Sequence, residues 1–206
     1  MMILYYATGA CSQAVHIILH EAGFAHDSIK VDLKTKTTER GENYLAINPK
    51  GAVPTLRLEN GELLTENAVV LQYLGDQAGG FLLPAIGDFR RYRVLEWLNF
   101  IATELHKSFG PFFKPVGEEA RQFARDLISS KFDFVEQKIG GNSYLMGETF
   151  TLPDAYLFVM LGWTGHAKLD LGRWPTLQAY RRRLEGRPSV RRVLEYEGLV
   201  PVEAAS

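Results

Sequence analysis

The feature that most constrains this chain is a change of hydrophobic period near residue 78. Before it, short apolar runs with strand character alternate with stretches at helical spacing. Beyond it, strand signals fade and helical spacing remains. A chain written this way folds as a small mixed α/β layer followed by a set of packed helices. Ile3-Leu4-Tyr5-Tyr6 reads as the first strand, and Val15, Ile18, Leu19 and Ala22 recur at i, i+3, i+4, i+7 as the first helix. Residues 28–33 alternate as a second strand, and residues 39–46 carry a short helical pattern. Residues 53–58 and Leu63-Leu64 flank Asn60-Gly61, a strong hairpin signal, so these two strands are expected to run antiparallel. Residues 66–76 read as a helix with Val69, Val70, Tyr73 and Leu74 turned inward. The expected order is β-α-β-α-β-β-α around a small mixed sheet.

Gly79-Gly80 and Pro84 mark a linker over residues 79–88, dividing a first domain, 1–78, from a second, 89–206. Helices are expected over 89–109, 118–139, 152–166, 176–185 and 189–196. The third of these has a written start. In Thr151-Leu152-Pro153-Asp154 the threonine takes the N-cap and the aspartate the N3 position of a capping box, with Phe150 and Ala155 placed as a hydrophobic staple.

The sole cysteine among 206 residues excludes an intramolecular disulfide framework and suits a reducing compartment. A formal net charge of -1 gives no bulk attraction to nucleic acid. Arg181, Arg182, Arg183, Arg187, Arg191 and Arg192 cluster, and without a wider basic footprint they read as a solvated helix face rather than a phosphate site. The longest apolar stretch, residues 155–161, is too short to span a bilayer. No basic region precedes the first apolar run, so a cytoplasmic location is expected and no membrane association.

Chemistry concentrates at four places. Cys11, in Gly9-Ala10-Cys11-Ser12, falls where the first strand turns into the first helix. Unpaired N–H groups and the helix dipole meet there, which favours a thiolate or holds an anion or sulfur ligand. The alternative is a small buried hydrophobe. In Asn48-Pro49-Lys50-Gly51-Ala52-Val53-Pro54, a cis bond before Pro54 would leave the Val53 backbone free to pair with a peptide ligand, and a trans bond makes an ordinary loop-to-strand proline. Thr65 is placed to cap the next helix. Its first-turn N–H groups at Glu66 and Asn67 suit a carboxylate, and the Glu66 side chain an ammonium. Asn99, Thr103 and His106 share a helix face at i, i+4, i+7 beside an apolar stripe of Leu95, Leu98, Ala102 and Leu105, and Lys107 adds positive potential.

These motifs, with residues 96–107 and 150–156, resemble the bacterial beta-class glutathione S-transferases over essentially the whole chain. The resemblance implies a thioredoxin-like N-terminal domain, an all-α C-terminal domain holding an electrophile pocket, and a cytoplasmic homodimer that acts in detoxification. It implies glutathione as cosubstrate, a small electrophilic, mostly apolar second substrate, and no metal. Cys11, Ser12 and His106 are then the catalytic positions. Glutathione is held by Cys11, Lys36, Val53, Pro54, Glu66, Asn67, Asn99, Thr103, His106 and Lys107, with Lys36 at the glycyl carboxylate, Val53 and the cis-Pro54 at the cysteinyl part, and Glu66 and Asn67 at the γ-glutamyl end. The Lys36 role has Lys34 as its alternative. Asn67 departs from the Gly or Ser usual in the family. Tyr5 and Tyr6 are read as packing residues. Phe112, Phe113 and Trp163 are candidates for the electrophile's surroundings, and Asn99 or its neighbours are candidates for reaching the partner subunit's site. Ala14 takes the place of a second cysteine, so a Cys-x-x-Cys oxidoreductase is excluded. Two other readings stay open: a glutathione-dependent thiol–disulfide oxidoreductase or reductive dehalogenase using Cys11, and a ligand-binding module without turnover.

Overall fold

Five strands make one sheet in the order β3-β2-β1-β4-β5, in a computed structural model that describes residues 1–199. The strands are β1 (Met2–Tyr6), β2 (His26–Asp32), β3 (Thr37–Thr38), β4 (Thr55–Arg57) and β5 (Leu63–Thr65). β1 runs parallel to β2, through the crossover helix α1 (Ser12–Glu21), and antiparallel to β4. β4 and β5 form the expected hairpin, with Leu56 opposite Leu64. The sheet carries α2 (Tyr44–Ile47) and α3 (Asn67–Gln77) as well.

The alternation of β1 decides the layers. Tyr5 joins Ile29, Val31, Tyr44 and Val53 in one buried cluster. Tyr6 turns to the other face, where its ring lies 5.5 Å from that of His16 on α1. Both tyrosines are packing residues, as expected. α1 is buried on nearly every side, including polar Ser12, Gln13 and His16.

Two compact units result: residues 1–78 with 185–199, and residues 79–184. The second is helical, with α4 (Phe89–Phe100), a π-helical segment (Ile101–His106), α5 (Glu118–Ile139), α6 (Leu152–Gly162), α7 (Thr164–Ala167) and α8 (Pro175–Glu185). α9 (Pro188–Tyr196) packs on α1 in the first unit, whereas the sequence reading places it with the other helices. Its apolar stripe of Val190, Val193 and Leu194 says that it is buried, not against what.

Several element bounds differ from expectation. β3 is a two-residue strand too short to register as alternation. The short helix over 39–46 narrows to Tyr44–Ile47, capped by Asn43, whose side chain accepts from the Leu45 N–H at 3.0 Å. The helix expected over 89–109 stops being α-helical after Phe100. The helix over 152–166 breaks at Trp163 into α6 and α7. Most of the arginine cluster is engaged in the fold: Arg187 pairs with Glu21, and Arg183 donates to the Ser143 carbonyl at 2.8 Å.

Candidate functional site

Cys11 is the N-cap of α1, and Ser12 its first residue. The turn that delivers them needs Gly9, which sits at φ +67°, where a side chain is strained. The Gly9 N–H donates to Glu197 Oε2 at 2.8 Å, and the same carboxylate accepts from Gln13 Nε2 at 3.1 Å and faces His16 Nδ1 at 3.2 Å. Glu197, just beyond α9, therefore holds both the turn and the polar side chains of the buried helix. Sequence reasoning missed it, because nothing local in residues 190–199 marks a partner so far away along the chain.

The Cys11 environment corrects one expectation. The thiol is buried and donates to the Val53 carbonyl at 3.3 Å. Burial pushes it up to about 12, outweighing the helix N–H groups that pull it down. The site favours a protonated thiol, not the thiolate read from a helix N-terminus alone. The Ser12 hydroxyl accepts from the Ala7 N–H at 3.2 Å and donates back to the Ala7 carbonyl at 3.4 Å.

The Val53–Pro54 peptide bond is cis. The loop before it is fastened by two residues that sequence reasoning left without a role. Asn48 Nδ2 donates to the Ala52 carbonyl at 2.8 Å and to Thr55 Oγ1 at 2.9 Å, and the Tyr44 hydroxyl donates to the same carbonyl at 2.8 Å. Lys36 Nζ donates to the Gly51 carbonyl at 2.7 Å, whereas the Lys34 side chain is exposed. Gly51 sits at φ +61°, where a side chain is strained, and a Cβ there would also crowd Leu45 Cδ2 at 3.0 Å.

Three described non-glycine residues have positive φ: Lys36 (59°), Glu66 (72°) and Lys168 (56°). Two of them are candidate site residues, and strained backbone of this kind gathers at functional sites. Glu66, not Thr65, is the N-cap of α3. Thr65 ends β5, and its Oγ1 accepts from Lys50 Nζ at 3.0 Å, while Lys50 also pairs with Glu66 at 2.6 Å. Asn67 is 7 % exposed, and neither polar atom of its amide meets a partner among the described residues. A buried amide of this kind has hydrogen-bonding capacity to offer a ligand. Cys11, Ser12, Lys36, Val53, Pro54, Glu66 and Asn67 all belong to the first unit.

In the helical unit, Asn99 lies at the end of α4, and Thr103 and His106 in the π-helical segment. Asn99, Thr103 and Lys107 are exposed, and His106 is partly buried. Thr103 Oγ1 donates to the Asn99 carbonyl at 2.9 Å. His106 Nδ1 sits 2.6 Å from the Tyr156 hydroxyl, and its ring meets Trp163 edge-on at 4.9 Å. Burial first, then the charge of Lys107, pulls His106 down to about 4, so the imidazole is neutral near pH 7. Phe113 also meets Trp163 at 4.9 Å, which brings two of the three aromatic candidates beside His106, while Phe112 turns to Phe109.

A parallel β-α-β half joined to a β-β-α half, with a cap-position thiol against the residue before a cis-proline, is the thioredoxin-like arrangement, here in a chain whose other unit is all helical. Residues 8–77 match the family model of the glutathione S-transferase N-terminal domain, and residues 100–188 that of the C-terminal domain. The chain belongs to the glutathione S-transferase family. Glutathione S-transferase GstA of Escherichia coli O157:H7 is 42 % identical over 200 residues, covering 96 % of this chain and 100 % of that one. The solved beta-class enzyme of Sphingomonas chungbukensis is 42 % identical with a TM-score of 0.91, over 96 % of this chain and 100 % of that one. A sphingomonad glutathione S-transferase complexed with glutathione is 40 % identical with a TM-score of 0.91, at the same coverage of both chains.

Proposed function

We propose that this chain conjugates glutathione, through its sulfur, to small electrophilic and mostly apolar compounds, and that Cys11 is a hydrogen-bonding neighbour of that sulfur rather than the nucleophile. The observation that carries this is the Cys11 thiol itself: buried, protonated and donating to Val53 at 3.3 Å. A thiol with its pKa near 12 is a weak source of thiolate but a usable S–H donor. Glutathione's thiol titrates near about 8.5 in water, and lowering it by one unit takes about 1.4 kcal/mol of preferential stabilisation of the anion. In this reading the N–H groups at the start of α1 supply that, joined by the Cys11 S–H once it turns from the Val53 carbonyl to the bound sulfur.

Residues 1–78 hold glutathione in this reading. Lys36 serves the glycyl carboxylate, Val53 beside cis-Pro54 the cysteinyl part, and Glu66 and Asn67 the γ-glutamyl end. The solved sphingomonad relative with bound glutathione and the strained backbone at Lys36 and Glu66 support the assignment. Ser12, with its hydroxyl engaged by Ala7, positions the turn. Asn99, Thr103, His106 and Lys107 are the helical unit's contribution, His106 as a neutral hydrogen-bonding group. Phe113 and Trp163 serve the electrophile. The 79–88 stretch is the linker, and it contains no helix or strand before Phe89. We assign the protein to the cytoplasm, as a homodimer acting in detoxification. No described helix is long and apolar enough to cross a membrane, and an exposed aromatic groove lined by Trp97, Phe100 and Phe134 suits a subunit contact.

The test is conjugation of an aryl halide and reduction of a mixed glutathione disulfide, measured on the parent and on Cys11→Ala. The expected result is conjugation that falls no more than about tenfold in the variant, the worth of one hydrogen bond, with little disulfide reduction in either. Fast reduction that vanishes with Cys11 would make the chain a thiol oxidoreductase. Glutathione binding with neither activity would make it a ligand-binding module.

A further inference from the structure

His16 and His20 lie four residues apart on α1, on one face of the helix. The chain turns back after α1 through Gly23, at φ +68°, and sets His26, the first residue of β2, against both. Three of the chain's five histidines thus converge on one place. Ring centroids are 5.2 Å apart for His16 and His20, 4.8 Å for His20 and His26, and 5.6 Å for His16 and His26. One ligand nitrogen from each lies within 4.8 Å of the other two.

From this convergence we propose that His16, His20 and His26 bind a divalent transition-metal ion of the zinc class, at a site separate from the thiol site, with His16 about one and a half turns and His20 about two and a half turns along α1 from Cys11. The hydrogen bonds around the cluster prepare it. His26 Nδ1 lies 2.8 Å from the Phe24 carbonyl, which only accepts, so the proton is on Nδ1 and the Nε2 lone pair is available. His16 Nδ1 faces the Glu197 carboxylate at 3.2 Å, which fixes the same tautomer. That is the carboxylate–histidine and carbonyl–histidine support that metal-ligating imidazoles carry. His16 Nε2 meets Ser28 Oγ at 3.4 Å, a long contact that a metal ion displaces. The His20 side chain makes ring contacts and no hydrogen bond among the described residues.

Burial and the two neighbouring imidazoles, with a smaller effect of Arg192, hold His20 down to about 4, and burial lowers His26 as well. Tetrahedral zinc at about 2.0–2.1 Å from each nitrogen spaces the nitrogens about 3.3 Å apart. The present separations close to that by rotation of His20 and His26, which are only partly buried. Three imidazoles and one position for water complete the coordination shell.

The competing account is that the three rings only pack, alongside Tyr6 and Tyr196, whose ring meets His16 at 5.0 Å. Titration of tag-free, glutathione-free protein with Co(II) and with Zn(II) against a chromophoric chelator separates the two. The expected result is one ion per chain, with the visible bands of four-coordinate Co(II). Affinity should fall about tenfold or more in His20→Gln and in His26→Gln, and stay unchanged in His166→Gln. Melting temperatures without metal report whether each variant is folded. Binding by the parent no tighter than by folded His20→Gln and His26→Gln overturns the site. So does binding lost in Cys11→Ser and kept in the histidine variants.

Discussion

Each unit of this molecule is tied together by one buried carboxylate, and the two differ in where their donors come from. In the helical unit, Asp154 accepts from the Leu145 N–H at 2.9 Å, the Thr151 N–H at 2.7 Å, Thr151 Oγ1 at 2.9 Å and the Tyr180 hydroxyl at 2.7 Å. Two of these are backbone groups with no other outlet, and the most distant donor is 26 residues away. In the thioredoxin-like unit, Glu197 gathers one backbone N–H and two side chains from residues 181 to 188 positions earlier. The first carboxylate stabilises a local motif and reaches out from it. The second joins the end of the described chain to the turn that carries Cys11, and so makes the thiol site depend on how α9 is seated.

The comparison predicts unequal costs. Asp154→Ala strands two backbone N–H groups and a tyrosine hydroxyl in the interior and should cost about 4 kcal/mol in urea unfolding. Glu197→Gln keeps the shape and one acceptor and should cost about 2 kcal/mol, with a rise in KM for glutathione as the Gly9 turn loosens. Equal losses, or an unchanged KM, would break the distinction. A third effect depends on pH. His106 titrates near 4 when folded and near 6.5 when unfolded, so the unfolded chain takes up a proton that the folded one refuses. Stability should therefore fall as pH drops through that window, and His106→Gln should flatten the slope between pH 6.5 and 5. An identical slope in parent and variant would refute the assignment. The smallest effect is Thr151→Ala, at about 1 kcal/mol, because Asp154 keeps its other donors when one hydroxyl is lost. Equal thermal midpoints would refute it.

What was legible in the sequence follows the same divide. The Asn60-Gly61 hairpin, the bounds of α5 and the Thr151–Asp154 box are written in residues a few positions apart, and the fold has them where the sequence puts them. The candidate site residues were found by motif. Their electrostatics were not, because burial of Cys11 and His106 is set by distant packing. Glu197, Asn48 and Tyr44 were missed for a related reason: each acts by hydrogen bonds across a loop or across the chain, with no periodic signal. The three histidines stand plainly in the sequence, yet a ligand set split between a helix and the following strand shows only after the turn at Gly23 is known.

The π-helical segment has a consequence for how this protein tolerates change in length. A π-turn closes its hydrogen bonds one residue further along than an α-turn, so Ile101–His106 carries one residue more than a regular helix would. Deleting a single residue there would let α4 run on unbroken with His106 and Lys107 close to their present direction relative to Asn99, whereas closing the wide turn to a regular α-helix with every residue kept would swing them by about 100° around the helix axis. Substitutions within the segment leave that count intact, and insertions or deletions do not. The direction in which His106 points is thus encoded in the width of one turn, matched to the number of residues it holds.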